Sequence, residues 1–481
     1  MTNYISASTS KPMSEEEFVA NYRKLVNMAL ASGVRHGALP FVPGPDKEFT
    51  WNQHRDFISR CHRGYEKAQD YAVQLAQQIL EDPESQSERD WRLLHIRKVV
   101  DAIAYTILGG QSYVIRRLST HGGPPALDMR VLQQANEEAR RRNRLSRLTF
   151  SLLADLTTSI HVADLLTIDF RVHPAKVDFV ELKTGRVNTM LLSQLEHYEP
   201  TEEAISNIDD DSAIAVQHKA QAKRMLRQRL RLARIDEIIL TDEGIEPSLK
   251  VPLRLSKDFV VEDSYDEFID DLLTTARKEG GRAAASYAWC LHFGVATCKD
   301  PEKAKQRAAE TAMFAAHSHY ESATEEVRSI IDEVRALIPP AHSLRLINVV
   351  QSNLAAVSSR PFPIWAISPE NRLDLVSRRM VLSVAFDIGG FIAMGRSLDI
   401  PMRLSTRKEA ARLLNGIPQH EKLTWGNRAL LYTLDGHEIT ALSGMFSRFV
   451  NDLTNPVQFL RDAKRVGINM PQQPAGPAAA E

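Results

Sequence analysis

Three residues in one short stretch have the types and spacing that hydrolysis of a phosphodiester needs. They are Asp164 and, about seventeen residues later, Glu181 and Lys183. Two carboxylates close together hold a Mg²⁺ ion with its waters, and a lysine beside them steadies developing negative charge or orients the attacking water. Alone, a Glu-x-Lys at a strand end is an ordinary solvated ion pair of little energetic consequence. Its surroundings therefore decide how it is read.

Residues 161–198 read HVADLLTIDF, RVHPAKVDFV, ELKTGRVNTM, LLSQLEHY. Two short, β-branched apolar runs flank His173-Pro174-Ala175-Lys176, which has turn composition, so the spacing predicts a β-hairpin. Glu181 and Lys183 stand two apart and point to one face of the second strand. A hairpin centred between Pro174 and Ala175 sets Lys183 opposite Leu166 and Glu181 opposite Ile168, with Asp164 on the same face. A slip of one residue would nominate Asp169 instead. Residues 150–156 are apolar and short enough for a neighbouring strand, reached through Thr157-Thr158-Ser159.

Asp164 followed by Glu181-Leu182-Lys183 resembles the PD-(D/E)xK nuclease superfamily over roughly residues 130–240, with Ala163 where that family's nominal proline stands. Gln194-Leu195-Glu196-His197-Tyr198 resembles the Q-x-x-x-Y element of RecB-like members. The resemblance implies an α/β fold with a restriction-endonuclease-like mixed sheet flanked by helices. It implies Asp164 and Glu181 as ligands of Mg²⁺ (or Mn²⁺), with the Val180 or Leu182 carbonyl supplying another oxygen. Lys183 is then the charge-stabilising residue, and Gln194 and Tyr198 orient substrate or Lys183. Members also carry an acidic residue on the helix that opens the core, which makes Glu137 and Glu138 further candidates, although a solvated charged face explains both. The implied activity is metal-dependent nuclease action, with DNA as the expected substrate, in restriction, repair or defence against phage. The rival reading is a non-catalytic nucleic-acid-binding or assembly protein that keeps the scaffold.

Residues 213–234 predict a helix with two unlike sides. Ala222, Met225, Leu226, Leu230 and Ala233 form an apolar stripe, while Lys219, Lys223, Arg227, Arg231 and Arg234 form a basic one. Cations recurring every turn, about 6 Å apart along the axis, suit successive phosphates of a nucleic-acid backbone. A basic face is also commonly just solvated, and the adjoining Glu-x-Lys is what favours binding. The preceding acidic stretch 199–212, with Asp209-Asp210-Asp211, reads as a solvated loop. Residues 235–240 (IDEIIL) read as a further strand.

The chain has 481 residues, 43% hydrophobic and 25% charged, with 60 Lys+Arg against 61 Asp+Glu. That is the composition of a globular protein with a sizeable core, and any polyanion surface must be a local patch. Cys61, Cys290 and Cys298 form no CxxC pair, which fits a reducing compartment. Cys290, beside Trp289 and His292, reads as a buried cysteine on an apolar helix. The polar N-terminus and the lack of a long apolar run predict no secretory signal and no membrane span, hence a cytoplasmic location.

Four regions follow: a largely helical 1–125; a nuclease-like core 126–262; a helical then α+β accessory region 263–465; and a disordered tail 466–481. Partner proteins or a second copy would dock through the helical regions. In the accessory region, residues 265–277, 283–294, 301–320 and 324–338 read as helices, with Pro301 at a helix start and Pro339-Pro340 as a stop. Residues 362–367, 379–386 and 391–394 read as strands, and 406–414 and 441–453 as helices. Gly390 and Gly395 have the spacing of a phosphate loop, but Arg396-Ser397 stands where Lys-Ser/Thr is needed, which excludes a nucleotide site there.

Overall fold

The computed structural model describes residues 12–30, 51–109, 115, 118, 126–160, 163–173, 175–180, 182, 186–210, 214–241, 243–245, 252–254, 264–349, 367–417 and 419–466. The fold is mixed α/β, and every strand pairing among these residues is antiparallel. The mixed sheet expected from the resemblance is therefore not present among them.

Strands β1 (Thr149–Leu153), β2 (Leu165–Asp169) and β3 (Lys176–Val180) form a sheet in the order β1-β2-β3. Every residue of β1, and all but the last of β2, is buried, so these two strands are covered on both faces, while β3 is exposed or half-buried along its length. The helices Glu15–Leu30, Trp51–Glu81, Gln86–Ile107 and Met129–Asn143 supply the cover. Tyr22, Ile58, Tyr65, Ile103, Phe150 and Leu166 belong to one apolar core. The helices before residue 125 and the sheet after it are thus one packing unit, and the expected division at 125 separates no cores.

The outer edge of β1 meets side chains instead of a fourth strand. His62 Nε2 donates to Thr149 O at 2.9 Å, and Asn143 and Gln69 each donate to Ser151 O at 3.3 Å. Ser151 N donates to Asn143 Oδ1 at 2.6 Å and Leu153 N to Gln69 Oε1 at 2.9 Å. His62 and Gln69 are two turns apart on one helix and so share the face that meets the strand. Buried backbone groups left unpaired cost about 1–3 kcal/mol each. Gln69→Leu, which leaves Leu153 N without a partner while Ser151 O keeps Asn143, is expected to lower unfolding stability by about 1–3 kcal/mol, read from the urea midpoint.

After β3 come the helices Arg186–Leu195, Glu202–Asn207 and Lys219–Thr241, and a two-stranded ladder of β4 (Glu243–Ile245) with β5 (Pro252–Arg254). The strand expected at 235–240 is the last part of the helix Lys219–Thr241. No glycine or proline interrupts it, and Ile235 and Ile238, three apart, are buried on one helical face. The β-branched composition of IDEIIL is overridden by that packing.

A second core gathers Tyr265, Phe293, Phe386, Phe391 and Phe449. Its sheet has the order β6-β7-β9-β8, with β6 Arg282–Tyr287, β7 Leu291–Thr297, β8 Leu344–Asn348 and β9 Met380–Asp387. The helix expected over 283–294 is the β6-β7 hairpin. Ala288 and Trp289 both take left-handed backbone, φ 54° and 57°, in a tight turn, and β7 pairs with β9 along seven residues. Tertiary pairing wins over the helix propensity of the alanines. Cys290 is accordingly buried at a strand start, not on a helix.

The helix Pro301–Ser322, opened by Asp300 with Pro301 at its start, crosses this sheet on an alanine stripe. Its backbone comes so close that a Cβ on Gly294 would lie 2.1 Å from Ala308 O. The strand expected at 391–394 is likewise a helix, Ile388–Ser397, capped by Asp387 through the Gly389 and Gly390 amides at 2.8 and 3.2 Å. A Cβ on Gly390 would meet Trp289 O at 2.1 Å. Close packing explains the glycine that resembles part of a phosphate loop. Of the strand expected at 362–367, residues 362–366 lie outside the described residues and Ile367 is a buried bend residue.

A small sheet of β10 (Met402–Leu404), β11 (Thr424–Trp425), β12 (Arg428–Leu434) and β13 (His437–Thr440), with the helices Arg407–Leu413, Ser443–Val450 and Pro456–Val466, completes the C-terminal part. Arg378 ties the two cores together, pairing with Glu88 at 2.8 Å and lying over the Trp91 ring at 4.5 Å. Among the described residues no helix is long and apolar enough to cross a membrane.

Candidate active site

The hairpin register is Leu165↔Val180 through Asp169↔Lys176, which centres the turn between Val172 and His173. That is two residues earlier than the Pro174/Ala175 centre expected, because the chain turns before the proline. An even displacement preserves which side chains of β2 and β3 share a face; Asp164 lies just outside β2, and Glu181 and Lys183 lie outside the described residues. Asp169 sits at the far end of β2, about 17 Å away along the strand. It is bound by Arg171, whose Nε and Nη2 approach at 2.9 and 2.7 Å and hold its carboxyl below the usual range.

Asp164 lies in a bend just before β2. Its N donates to Val180 O at 3.1 Å and its O accepts from Ala154 N at 3.0 Å. The half-buried side chain turns toward the following strand, where Oδ2 accepts the Leu182 N–H at 2.5 Å. Leu182 is the middle residue of Glu181-Leu182-Lys183. Glu181 and Lys183 themselves lie outside the described residues, as does Asp211. Among the described residues only Oδ2 of Asp164 is engaged, which leaves Oδ1 as the oxygen a cation would use. No group of three or more His, Cys, Asp or Glu suited to a metal is found among the described residues, a set that excludes Glu181.

The loop that brings the chain to Asp164 is tied to the helix Gln86–Ile107 by a buried polar network. Lys98 Nζ lies 3.1 Å from Asp101 Oδ2 and donates to Thr158 Oγ1 at 2.9 Å. Asp101 accepts from Thr158 N at 2.8 Å and from its hydroxyl at 2.5 Å, and Arg97 donates to Thr157 O at 3.2 Å. The sequence reading missed these residues. The available signal was a lysine and an aspartate three apart at the edge of the apolar window 99–107.

Glu138 is held by Arg141 and Arg142, each at 2.7 Å, which pull its carboxyl down to about 2. Glu137 is exposed, and their helix packs along β1, across β2 from β3. Neither is brought to Asp164 by a contact.

Gln194 lies half-buried one residue before the end of the helix Arg186–Leu195. Tyr198 follows in a turn, its N donating to Leu195 O at 3.1 Å, so the helix does not continue through the Q-x-x-x-Y spacing. Its ring packs on a small core of Leu191, Leu195, Ile205, Ile208, Met225 and Leu226.

In the basic helix the expected apolar residues Ala222, Met225 and Leu226 are buried, but the cations do not form an open row. Lys219 Nζ donates to Asp209 O at 2.5 Å, Lys223 pairs with the Asp209 carboxylate, and Arg234 lies 3.3 Å from Glu202. Arg227 is exposed and Arg231 half-buried. Asp209 is therefore an ion-pair partner, not a freely solvated loop residue.

Compared with protein-family models, curated proteins and solved structures, the chain matches none.

Proposed function

We propose that this chain is a metal-dependent nuclease, acting on DNA, with a restriction-endonuclease-like core around β1, β2 and β3. The observation that carries the reading is the hydrogen bond from Leu182 N–H to Asp164, which fixes one carboxylate against the residue between Glu181 and Lys183. Asp164 and Glu181 bind Mg²⁺ or Mn²⁺ through carboxylate oxygens. Such an ion, when bound, offsets charge on the phosphoryl oxygens and makes its water more acidic. Lys183 steadies charge on the phosphoryl group or orients the attacking water. Gln194 and Tyr198 position substrate or Lys183, and Lys219, Lys223, Arg227 and Arg231 take the nucleic-acid backbone. Restriction, repair or anti-phage defence is the setting this chemistry suits.

The test is nicking of supercoiled plasmid with Mg²⁺, with Mn²⁺ and with EDTA, by the parent and by Asp164→Asn. Asparagine retains an oxygen for the Leu182 N–H but loses the charge that holds the ion. The expected result is metal-dependent nicking by the parent and a loss of about a hundredfold in the variant at fixed Mg²⁺. Equal cleavage by both would place the chemistry elsewhere. Duplex binding without cleavage in either metal would favour the non-catalytic binding protein.

A further inference from the structure

The basic helix carries its own counter-charges in a consistent arrangement. The segment before it, from Glu199 to Asp210, includes the helix Glu202–Asn207 and returns along Lys219–Thr241. At one end Asp209 engages Lys219 through its carbonyl and Lys223 through its carboxylate; at the other Glu202 engages Arg234. In both ion pairs the acid lies outside and the base inside: the Asp209 side chain is 65% exposed against 21% for Lys223, and Glu202 is 56% exposed against 20% for Arg234. A ligand approaching from solvent meets the carboxylates before it meets those cations. Arg227, between the two pairs, is exposed, and among the described residues no carboxylate meets it.

We infer that Asp209 is a built-in competitor of the nucleic-acid backbone, occupying the place of a phosphate on Lys219 and Lys223 and setting which polyanions the helix accepts. The inference rests on the reading that this helix binds nucleic acid. Arg227 provides the first contact, and full engagement requires a phosphate to replace the Asp209 carboxylate on Lys223 and to draw Lys219 from the Asp209 carbonyl. Such replacement exchanges one ion pair for another, so its free-energy cost is small for a duplex that presents many phosphates at once. A single phosphate or an isolated acidic side chain gains too little to displace a group tethered ten residues from Lys219. The segment thus favours long duplex over small anions. The contact is reversible because its carboxylate is solvated and its strength is that of an exposed pair.

The test uses the full chain without divalent metal, so that binding is measured apart from cleavage, and a labelled duplex of about 20–30 base pairs in a series of salt concentrations. Asp209→Asn is compared with Asp210→Asn. Asp210 is exposed and adjacent, so the control changes the same charge without touching the helix. Asp209→Ala repeats the experiment without an amide oxygen able to accept from Lys223. The expected result is duplex affinity about threefold to tenfold above the parent for both Asp209 variants, and within about twofold for Asp210→Asn. Lys219→Gln/Lys223→Gln separates the two levels of the argument. If that pair weakens binding while the Asp209 variants match the parent or bind less well, the helix binds duplex and the competition is wrong. If the lysine variant also matches the parent, or nothing binds, the nucleic-acid reading of the helix falls and the inference with it.

Discussion

Lys183→Ala is expected to lower metal-dependent cleavage by about a hundredfold to a thousandfold while leaving duplex affinity and the Mg²⁺ requirement within about twofold. The lysine acts on charge that develops during reaction or on the attacking water, so its removal is felt in the transition state and hardly in the ground state. Glu181→Ala separates the roles. Losing a ligand raises the Mg²⁺ concentration needed for half-maximal rate, and saturating metal restores part of the activity. Titrating Mg²⁺ against rate for both variants distinguishes a defect in maximal rate from a defect in metal affinity. If both variants cleave like the parent at saturating metal, Glu181-Leu182-Lys183 is not the site.

Asp101→Ala is expected to cost about 3–5 kcal/mol of unfolding stability, because it removes the carboxylate beside a lysine that is itself nearly fully buried. It also strips Thr158 N and the Thr158 hydroxyl of their acceptor. Lys98→Met/Asp101→Leu removes both charges and replaces them with apolar groups of similar bulk, and is expected to recover the part of the loss that comes from the unpaired Lys98 charge, while Thr158 N still lacks its acceptor. Urea unfolding of parent, single and double variants closes the comparison. A single variant as stable as the parent would mean that water reaches Lys98. The double variant carries a second expectation: with Thr158 released, the loop leading to Asp164 is less constrained, so its cleavage falls further than its stability.

The hairpin that presents Asp164 was legible because β-branched runs, a turn and a strand-end Glu-x-Lys are local signals. The helix start at Pro301 was legible for the same reason, a proline at the first position of a helix, and Asp300 caps it. The hairpin register came out two residues from the proline-centred estimate, because the chain turns before the proline. Residues 283–294 and 235–240 were misread in opposite directions, an alanine-rich segment being drawn into a sheet by β9 and an isoleucine-rich one into a helix by the cores it packs on. Neither partner is adjacent in sequence. The ion pairs of Asp209 were also illegible, since the sequence shows an acidic loop beside a basic helix without showing that one folds onto the other. The same holds for Lys98 and Asp101, whose partners lie 57–60 residues away.

The side chains that finish the edge of β1 also bear on how the chain comes to be folded during synthesis. His62 and Gln69 precede the backbone they bind by 82–87 residues, so the helix that closes this edge has left the ribosome well before the strand is made. A chain made from its N-terminus never has to hold that edge open while waiting for its cover. A fragment that began at residue 126 would keep the Asn143 bonds to Ser151 but lose those of His62 and Gln69, leaving Thr149 O and Leu153 N unpaired on an apolar strand, which is a template for self-association. The sheet of β1, β2 and β3 therefore depends on a helix made long before it, whose side chains complete its edge.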